Sequence, residues 1–477
     1  MIHQFKNNGY NIVLDVNSGS VHVVDDIMYD ILQEYEKKTP EEIIAAFAGR
    51  YSETEIREAL EEIGELKEEG SLFTEDEYKP SLLEFKERQT VVKALCLHIA
   101  HDCNLACRYC FAEEGEYKGR RALMSAEVGK KALDFLIAQS GKRRNLEVDF
   151  FGGEPTMNME VVKEIVAYGH ELEKTHDKHF RFTITTNGVL LDDEMMEYIN
   201  KEMYNVVLSL DGRPEVNDRM RPFRGGQGSY AVIAPKLLKM AKLRGDKQYY
   251  VRGTFTRYNL DFYNDIIHYA DMGFDQISIE PVVSPATEPY ALREEDVPVI
   301  CEQYDKLAQE MARRRKAGHC FTFFHFMLDL QGGPCVYKRL AGCGSGTEYL
   351  AVTPWGDLYP CHQFVGEEQF IVGTVFDGIT KPEICDKFRM NNIYAKKECT
   401  DCFARYFCSG GCAANAYHFT GDINGNYPIG CELERKRVEC ALMLKAAEAE
   451  EAGTDVTFAG KDTETCEENC GSDGCEA

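Results

Sequence analysis

The stretch KALCLHIAHDCNLACRYCF, residues 93–111, joins an apolar, strand-like run to a loop with cysteines at 103, 107 and 110. The spacing is three residues and then two. A structural zinc site takes four protein ligands, so three thiols on one loop raise the question of what fills the remaining place. Three thiolates can hold three irons of a [4Fe-4S] cube and leave the fourth iron without a protein ligand, where a small molecule can bind.

KALCLHIA is the first of six similar runs. LEVDFFGG, RFTITTNG, NVVLSLDG, YYVRGTFT and QISIEPV follow between about 92 and 285, with helix-like stretches between them. Regular alternation predicts parallel strands joined by crossover helices, and six units fall short of the eight of a closed barrel. The expected fold class is therefore α/β, with a partial, open (β/α)6 TIM barrel over residues 92–317 that ends in a helical linker, 294–317. Cys103, Gly152-Gly153-Glu154-Pro155, Thr186-Asn187-Gly188, Ser209-Leu210-Asp211-Gly212 and Glu280-Pro281 all fall just past strand ends. That rim is where such barrels build active sites. Gly152 and Gly153 lack a Cβ and let backbone come close to a ligand, and Glu154 offers an acceptor suited to an ammonium. Alone, Gly-Gly-Glu-Pro reads as a turn; its place after the second strand gives it weight.

With 477 residues the chain is expected to form two or three compact units. Residues 1–80 have their own pattern: NIVLDV (11–16) and SVHVVD (20–25) alternate like a hairpin about Asn17-Ser18-Gly19. Helical periodicity follows over 26–37, 40–49 and 52–70, with Ser52 and Glu55 spaced as a capping box. SLFT (71–74) is expected to return as a third strand, giving a small winged-helix-like module. The net charge of -26 and pI near 5.0 repel phosphate backbones and anionic lipid, so neither nucleic acid nor a membrane surface is an expected partner. No apolar run is long enough to span a bilayer and the N-terminus is too polar for a secretory signal, which points to a cytoplasmic protein. Nineteen cysteines are clustered over 103–110, 335–361, 399–440 and 466–475, a distribution that suits metal ligation rather than disulfides. Cys96, Cys301, Cys320 and Cys385 stand apart and read as buried small apolar residues. The acidic end of the chain, 446–477, is expected to be disordered.

The C-x3-C-x2-C spacing, with Tyr109 before the last cysteine, closely resembles the signature of the radical S-adenosylmethionine (SAM) superfamily. The resemblance implies that Cys103, Cys107 and Cys110 hold a [4Fe-4S] cluster whose open iron chelates the amino and carboxylate groups of SAM. It also implies that an electron from the cluster cleaves SAM to a 5'-deoxyadenosyl radical that abstracts hydrogen. By the same resemblance Gly152, Gly153 and Glu154 contact the SAM amino group, while Asn187, Ser209 and Asp211 line its pocket. Arg221, with Arg252 as the second candidate, pairs with its carboxylate. For each of these polar residues a strand-end cap or a surface ion pair is the alternative.

Cys343, twelve residues, Gly356, four residues and Cys361 open a second pattern; Cys399-x2-Cys402-x5-Cys408-x3-Cys412 and then Cys431 complete it. This is similar to the seven-cysteine SPASM pattern of radical SAM enzymes that modify peptides and proteins, and places a SPASM domain over 318–445. The resemblance implies two auxiliary [4Fe-4S] clusters, one on Cys399, Cys402, Cys408 and Cys431 and the other on Cys343, Cys361 and Cys412, making three clusters in the chain. Seven thiolates are one short of the eight that two cubes take. Cys335 is the candidate eighth ligand, and a sulfur from the substrate is the competing possibility. Structural zinc is the alternative for the whole set.

The N-terminal unit resembles PqqD-like RiPP recognition elements, which bind the leader of a ribosomally made precursor by adding it as a strand. YNIVLDVNSGSVHVVDDIMYDIL (10–32) and GPCVYKRLAGCGSGTEYLAVTPWGDLYPCHQF (333–364) resemble the maturases of cysteine-rich SCIFF peptides. Those enzymes join a cysteine sulfur to a carbon of an acceptor residue, often threonine, as a thioether. The implied partners are a Cys-rich precursor peptide bound through its leader and an external electron donor. Carbon-carbon cross-linking, epimerisation and sulfatase maturation are other outcomes on the same frame. An iron-sulfur electron carrier or a zinc-organised scaffold is the non-enzymatic alternative, and SAM cleavage separates it from the rest.

Overall fold

The computed structural model describes residues 1–79, 90–113, 115–117, 121–328, 330 and 336–454. At the N-terminus, β1 (Ile2–Asn7), β2 (Tyr10–Asp15) and β3 (Val21–Val23) form an antiparallel sheet in that order. Helices α1 (Asp26–Leu32), α2 (Pro40–Phe47) and α3 (Glu53–Glu68) follow. Val13, Ile31, Ile43, Ile56 and Ile63 make the core between the sheet and the helices. The Ser52–Glu55 capping box is formed. The third strand is Ile2–Asn7 and not the expected 71–74. Asn8 and Gly9, with φ of 49° and 91°, take the left-handed conformations of a two-residue hairpin turn and fold the polar N-terminus back onto β2. Residues 71–74 instead tie the hairpin end: the Thr74 N–H donates to Asp15 Oδ2 at 3.0 Å.

Six parallel strands form the main sheet in the order β10-β9-β8-β7-β6-β4. They are β4 (Ala94–His101), β6 (Asn145–Gly152), β7 (His179–Thr186), β8 (Asn205–Ser209), β9 (Tyr249–Phe255) and β10 (Gln276–Pro281), with the short β5 (Ala122–Leu123) beside β4. Helices α4 (Ala126–Gln139), α5 (Met159–Glu173), α6 (Asp193–Glu202), α7 (Pro214–Met220), α8 (Tyr230–Arg244) and α9 (Tyr263–Met272) connect them. Among the described residues β4 and β10 do not pair with each other, so the barrel is partial and open. Its outward residues, such as Val148, Phe150, Val206, Leu208 and Val251, are completely buried under the helices. The alternate positions Asp149, Phe151, Thr183, Val207, Ser209, Arg252 and Thr254 remain accessible from the inner face. The wall turns its apolar side outward, and its inner face carries Asp149, Thr183, Ser209, Arg252 and Thr254 among apolar residues.

The sheet does not stop at the barrel. β11 (Thr322–Phe323) adds to β10, and β12 (Tyr349–Val352) adds in parallel to β4, followed by β13 (Asp357–Tyr359), β14 (Gly373–Thr374) and β15 (Gly378–Ile379). The cysteine-rich segment therefore grows out of the barrel edge beside the first strand. α10 (Val297–Lys316) fills the expected linker; α11 (Val336–Ala341), α12 (Pro382–Arg389), α13 (Arg405–Cys408), α14 (Ala413–Thr420) and α15 (Pro428–Ala452) complete the chain. α15 packs on α10 and on β1 and β2, with His3 Nε2 at 3.1 Å from Glu439 Oε1 and Asn7 Nδ2 donating to Asp305 Oδ1 at 2.9 Å.

The disorder expected from residue 446 does not begin there. Residues 446–452 are helical, with Ala446, Ala447 and Ala449 buried. Residues 455–477, including Cys466, Cys470 and Cys475, and also Cys335, lie outside the described residues. Cys96 and Cys385 are buried, but Cys301 is only half-buried and Cys320, just past the end of α10, is exposed. Among the described residues no helix is long and apolar enough to cross a membrane.

Candidate active site

The cysteine loop leaves the end of β4 and is pinned on one side by the Gly-Gly-Glu-Pro strap that follows β6. The Gly153 N–H donates to the Ala100 carbonyl at 2.7 Å and the Glu154 N–H to the Asp102 carbonyl at 2.9 Å. A Cβ on Gly152 would stand 2.4 Å from the Ala100 oxygen, and one on Gly153 would stand 2.1 Å from the Asp102 oxygen. The glycines are thus required by the approach of the strap to the cysteine loop, whereas the sequence reading assigned their missing side chains to a ligand. Gly153→Ala is expected to cost about 1–3 kcal/mol, because the obstructing atom is backbone. Thermal unfolding and iron bound per chain after reconstitution check this, and both should fall.

Glu154 is buried beneath the strap. Its Oε1 accepts from the Thr156 N–H at 3.1 Å and from the Thr156 and Thr186 hydroxyls at 2.5 and 2.8 Å, and its Oε2 accepts from the Asn187 N–H at 2.8 Å. Burial raises the carboxyl pKa and these bonds oppose the rise. The carboxylate therefore ties the end of β6 to the end of β7. Asn187 carries the link onward: its Nδ2 donates to Asn104 Oδ1 at 2.7 Å and lies 3.7 Å from Cys103 Sγ.

The opposite side of the loop is held by residues 220–224. The Ala106 and Arg108 N–H groups each donate at 2.9 Å, to the Pro222 and Met220 carbonyls. The Arg224 guanidinium donates to the Cys103 carbonyl at 2.9 Å and to Asp102 Oδ1 at 2.8 Å. The Tyr109 hydroxyl donates to Asp211 Oδ2 at 2.6 Å and accepts from Arg221 Nη1 at 3.1 Å, while Asp211 Oδ1 accepts from the Thr254 N–H at 3.0 Å. Arg221 is almost fully buried, and its Nε has no hydrogen-bond partner among the described residues. Asp211 and Arg221 thus brace the cysteine loop from behind. Arg252 stands elsewhere, on the inner face of β9 beside Ser209, with its Nε 3.8 Å from Glu280 Oε1; His325 Nε2 is 3.0 Å from the same oxygen. His325, Arg252 and Arg437 hold Glu280 well below the usual carboxylate range despite its burial.

The three loop thiols feel one another electrostatically. Burial pushes Cys103 up to about 11 and Cys107 up to about 12, with the neighbouring cysteines adding to the rise and the Arg221 charge opposing it. Such thiols stay protonated unless a cation takes them as thiolates. Among the described residues no three His, Cys, Asp or Glu side chains are arranged to hold a metal ion. Ligands of a zinc ion converge on one point, whereas ligands of a four-iron cube bind different irons and need not do so.

The C-terminal cysteines fall into two groups. Asn426 Nδ2 lies 3.6 Å from both Cys399 Sγ and Cys431 Sγ, and Cys408 has Cys431, Cys399 and Cys402 as charge neighbours. The Lys396 ammonium is buried against this group, donating to the Gly410 and Gly425 carbonyls at 2.8 and 3.2 Å and facing Cys399, Cys408, Cys431 and Cys412. The second group is Cys361 with Cys412 and Cys343. Cys361 is buried, but Cys343 and Cys412 are exposed, so this group opens to solvent. His362 Nδ1 lies 3.6 Å from Cys361 Sγ and 3.1 Å from the Tyr349 hydroxyl. Burial lowers the His362 pKa to about 4, leaving the ring neutral. That ring is 5.8 Å from Phe111, the residue after Cys110, and 5.1 Å from Phe151 on the barrel wall. Arg224, Lys396 and His325 escaped the sequence reading because no motif marks them: their partners are carbonyls and carboxylates on distant segments.

Residues 97–247 match the family model of the radical SAM superfamily. The chain is 25% identical over 354 residues to a serine-type anaerobic sulfatase-maturating enzyme of Bacteroides thetaiotaomicron, covering 67% of this chain and 82% of that protein. Its fold is similar to that of anSMEcpe, solved with bound AdoMet and a Cp18Cys peptide, with a TM-score of 0.61 at 18% identity over 74% of this chain and 98% of that one. SuiB of Streptococcus suis, solved with S-adenosylmethionine, gives a TM-score of 0.52 at 16% identity over 90% of this chain and 98% of its own. The partial barrel, its cysteine loop and the family match define a radical SAM domain, with a cysteine-rich extension at its C-terminal edge.

Proposed function

We propose that the chain is a peptide maturase that joins cysteine sulfur to an acceptor-residue carbon, often of threonine, in a Cys-rich SCIFF-type precursor. The observation that carries this reading is the placement of the open thiol group. His362, next to Cys361 of that group, lies 5.8 Å from Phe111, next to Cys110, so the three-thiol group neighbours the cysteine loop. Two places that each offer three thiols would then stand close to each other.

Cys103, Cys107 and Cys110 would hold the cluster that binds SAM. Cys399, Cys402, Cys408 and Cys431 would hold a second, with the Lys396 ammonium offsetting its negative charge. Cys343, Cys361 and Cys412 would hold a third, with its remaining place filled by Cys335 or by the substrate's own sulfur. When bound, SAM and the clusters supply a 5'-deoxyadenosyl radical able to take hydrogen from an acceptor carbon, together with a sink for the remaining electron. The chain's own part is to position. The strap, Glu154 and residues 220–224 fix the cysteine loop, and the inner faces of β8 to β10 offer Ser209, Arg252 and Glu280 to whatever enters.

The N-terminal unit supports a precursor with a leader. β3 is an edge strand that pairs only with β2 among the described residues, and Val23 on it is exposed, a geometry that suits strand addition. The SuiB fold spans 90% of this chain against 74% for anSMEcpe, a wider match in overall architecture. SuiB has also been solved bound to its precursor peptide SuiA. Cys412→Ser tests the reading: reduced protein should still form 5'-deoxyadenosine, while the cross-link in a cysteine-rich precursor disappears. Cross-linking at the wild-type rate in that variant would remove the three-thiol group from the reaction.

A further inference from the structure

The segment Cys402–Cys408 faces two ways. Its terminal cysteines belong to the four-thiol group, while Phe403, Arg405 and Tyr406 between them reach the N-terminal unit. The Arg405 side chain is 4% exposed. It donates through Nη1 to the Thr400 carbonyl, and through Nη2 to Asn17 Oδ1 at 2.5 Å and Asp76 Oδ2 at 3.2 Å. The Tyr394 and Tyr406 hydroxyls each donate to Asp76 Oδ1 at 2.8 Å. The His3 ring stacks on Phe403 with centroids 3.4 Å apart and planes 2° apart. Asn17 is itself fixed, its Nδ2 donating to the Thr74 carbonyl at 2.7 Å.

Arg405 opens α13 and Cys408 closes it, so one helical turn joins the anchored guanidinium to a thiol. The Cys408 N–H bonds the Ala404 carbonyl at 2.8 Å, which makes that turn stiff. Without Asp76 the buried guanidinium loses its counter-charge. A buried cation in that state is strongly unfavourable, so the segment would move to hydrate it and carry Cys402 and Cys408 with it.

We propose that Asp76 and Asn17 are positioning residues for the iron-sulfur centre on Cys399, Cys402, Cys408 and Cys431, so that the N-terminal unit is part of that centre's support as well as a docking module. The proposal rests on the reading of those four cysteines as iron ligands. One consequence concerns truncation: deleting residues 1–79 removes the anchor together with the sheet, so lost peptide modification in a truncated chain does not by itself report leader docking. A substitution on the β3 edge does.

The test uses full-length, anaerobically reconstituted protein, with iron and sulfide per chain and the electron paramagnetic resonance spectrum of the reduced state as readouts. Asp76→Ala is expected to lose the iron and the signal that Cys408→Ser loses, and Asn17→Ala to lose part of them. Formation of 5'-deoxyadenosine by the same samples controls for the fold of the barrel and should persist. The double variant Asp76→Ala with Arg405→Met should regain iron relative to Asp76→Ala, because the uncompensated charge is gone. Wild-type iron and spectrum in Asp76→Ala, with both reduced in Cys408→Ser, would overturn the proposal. Unchanged iron in Cys399→Ser and Cys408→Ser would remove the ligand reading, and the proposal with it.

Discussion

A Cys107→Ser chain, reduced and supplied with SAM, is expected to form almost no 5'-deoxyadenosine, a fall of roughly 10⁴-fold or more. The physical reason lies in the ligand. The thiol is already pushed up to about 12 by burial, and only binding to a cation makes its thiolate favourable there. A serine hydroxyl is far less acidic and stays neutral, so one iron of the proposed cluster would lose its anchor. Cys103→Ser and Cys110→Ser should behave alike. Cys96→Ser is the control: Cys96 is also buried, on β4 a few residues away, but it lies outside the spaced set. Its loss should lower stability modestly and leave SAM cleavage in place. Equal loss in all four variants would mean that the assay reports unfolding instead of ligation.

Glu154→Ala should be the most damaging change that touches no cysteine. Four donors from Thr156, Thr186 and Asn187 converge on this buried carboxylate. Alanine leaves them unpaired over a void, a cost of about 3–5 kcal/mol. Calorimetry should show melting lowered by about 3–5 °C. Glu154→Gln is informative because it preserves volume. The threonine hydroxyls can turn to accept from the new amide NH₂, but in either orientation that NH₂ also meets a fixed backbone N–H, of Thr156 or of Asn187, so the rescue is partial. Asn187 then loses its fixed position, and with it the contact to Asn104 and Cys103 that holds the loop in shape. SAM binding should weaken in both variants, measured by calorimetric titration.

The strands and the rim were legible because their signals are local. Alternation marks each strand, and the chemistry of iron ligation fixes cysteine spacing within a loop. The first strand was missed although Asn8-Gly9 is a strong hairpin signal, because the polar stretch before it lacks the composition of a strand. Residues 71–74 look strand-like, yet Asp15 captures Thr74 and the segment closes the hairpin end. The pairing of β12 with β4 is invisible in sequence since it joins segments far apart in the chain, and it is what brings Cys361 near Cys96 on β4. Glycines 152 and 153 accommodate a close approach of the chain to itself, which no local pattern distinguishes from the approach of a ligand. Arg224 and Lys396 act on backbone carbonyls, which any residue supplies, so no pattern reveals them.

The most direct test is made on the product. Reconstituted, reduced protein would be incubated with SAM and a short cysteine-rich precursor peptide of the SCIFF type, and the peptide examined by tandem mass spectrometry. A thioether maturase removes two hydrogen atoms from the peptide per cross-link, blocks one cysteine against alkylation and releases 5'-deoxyadenosine alongside. A peptide that keeps its mass and all its free thiols while SAM is cleaved would contradict the account.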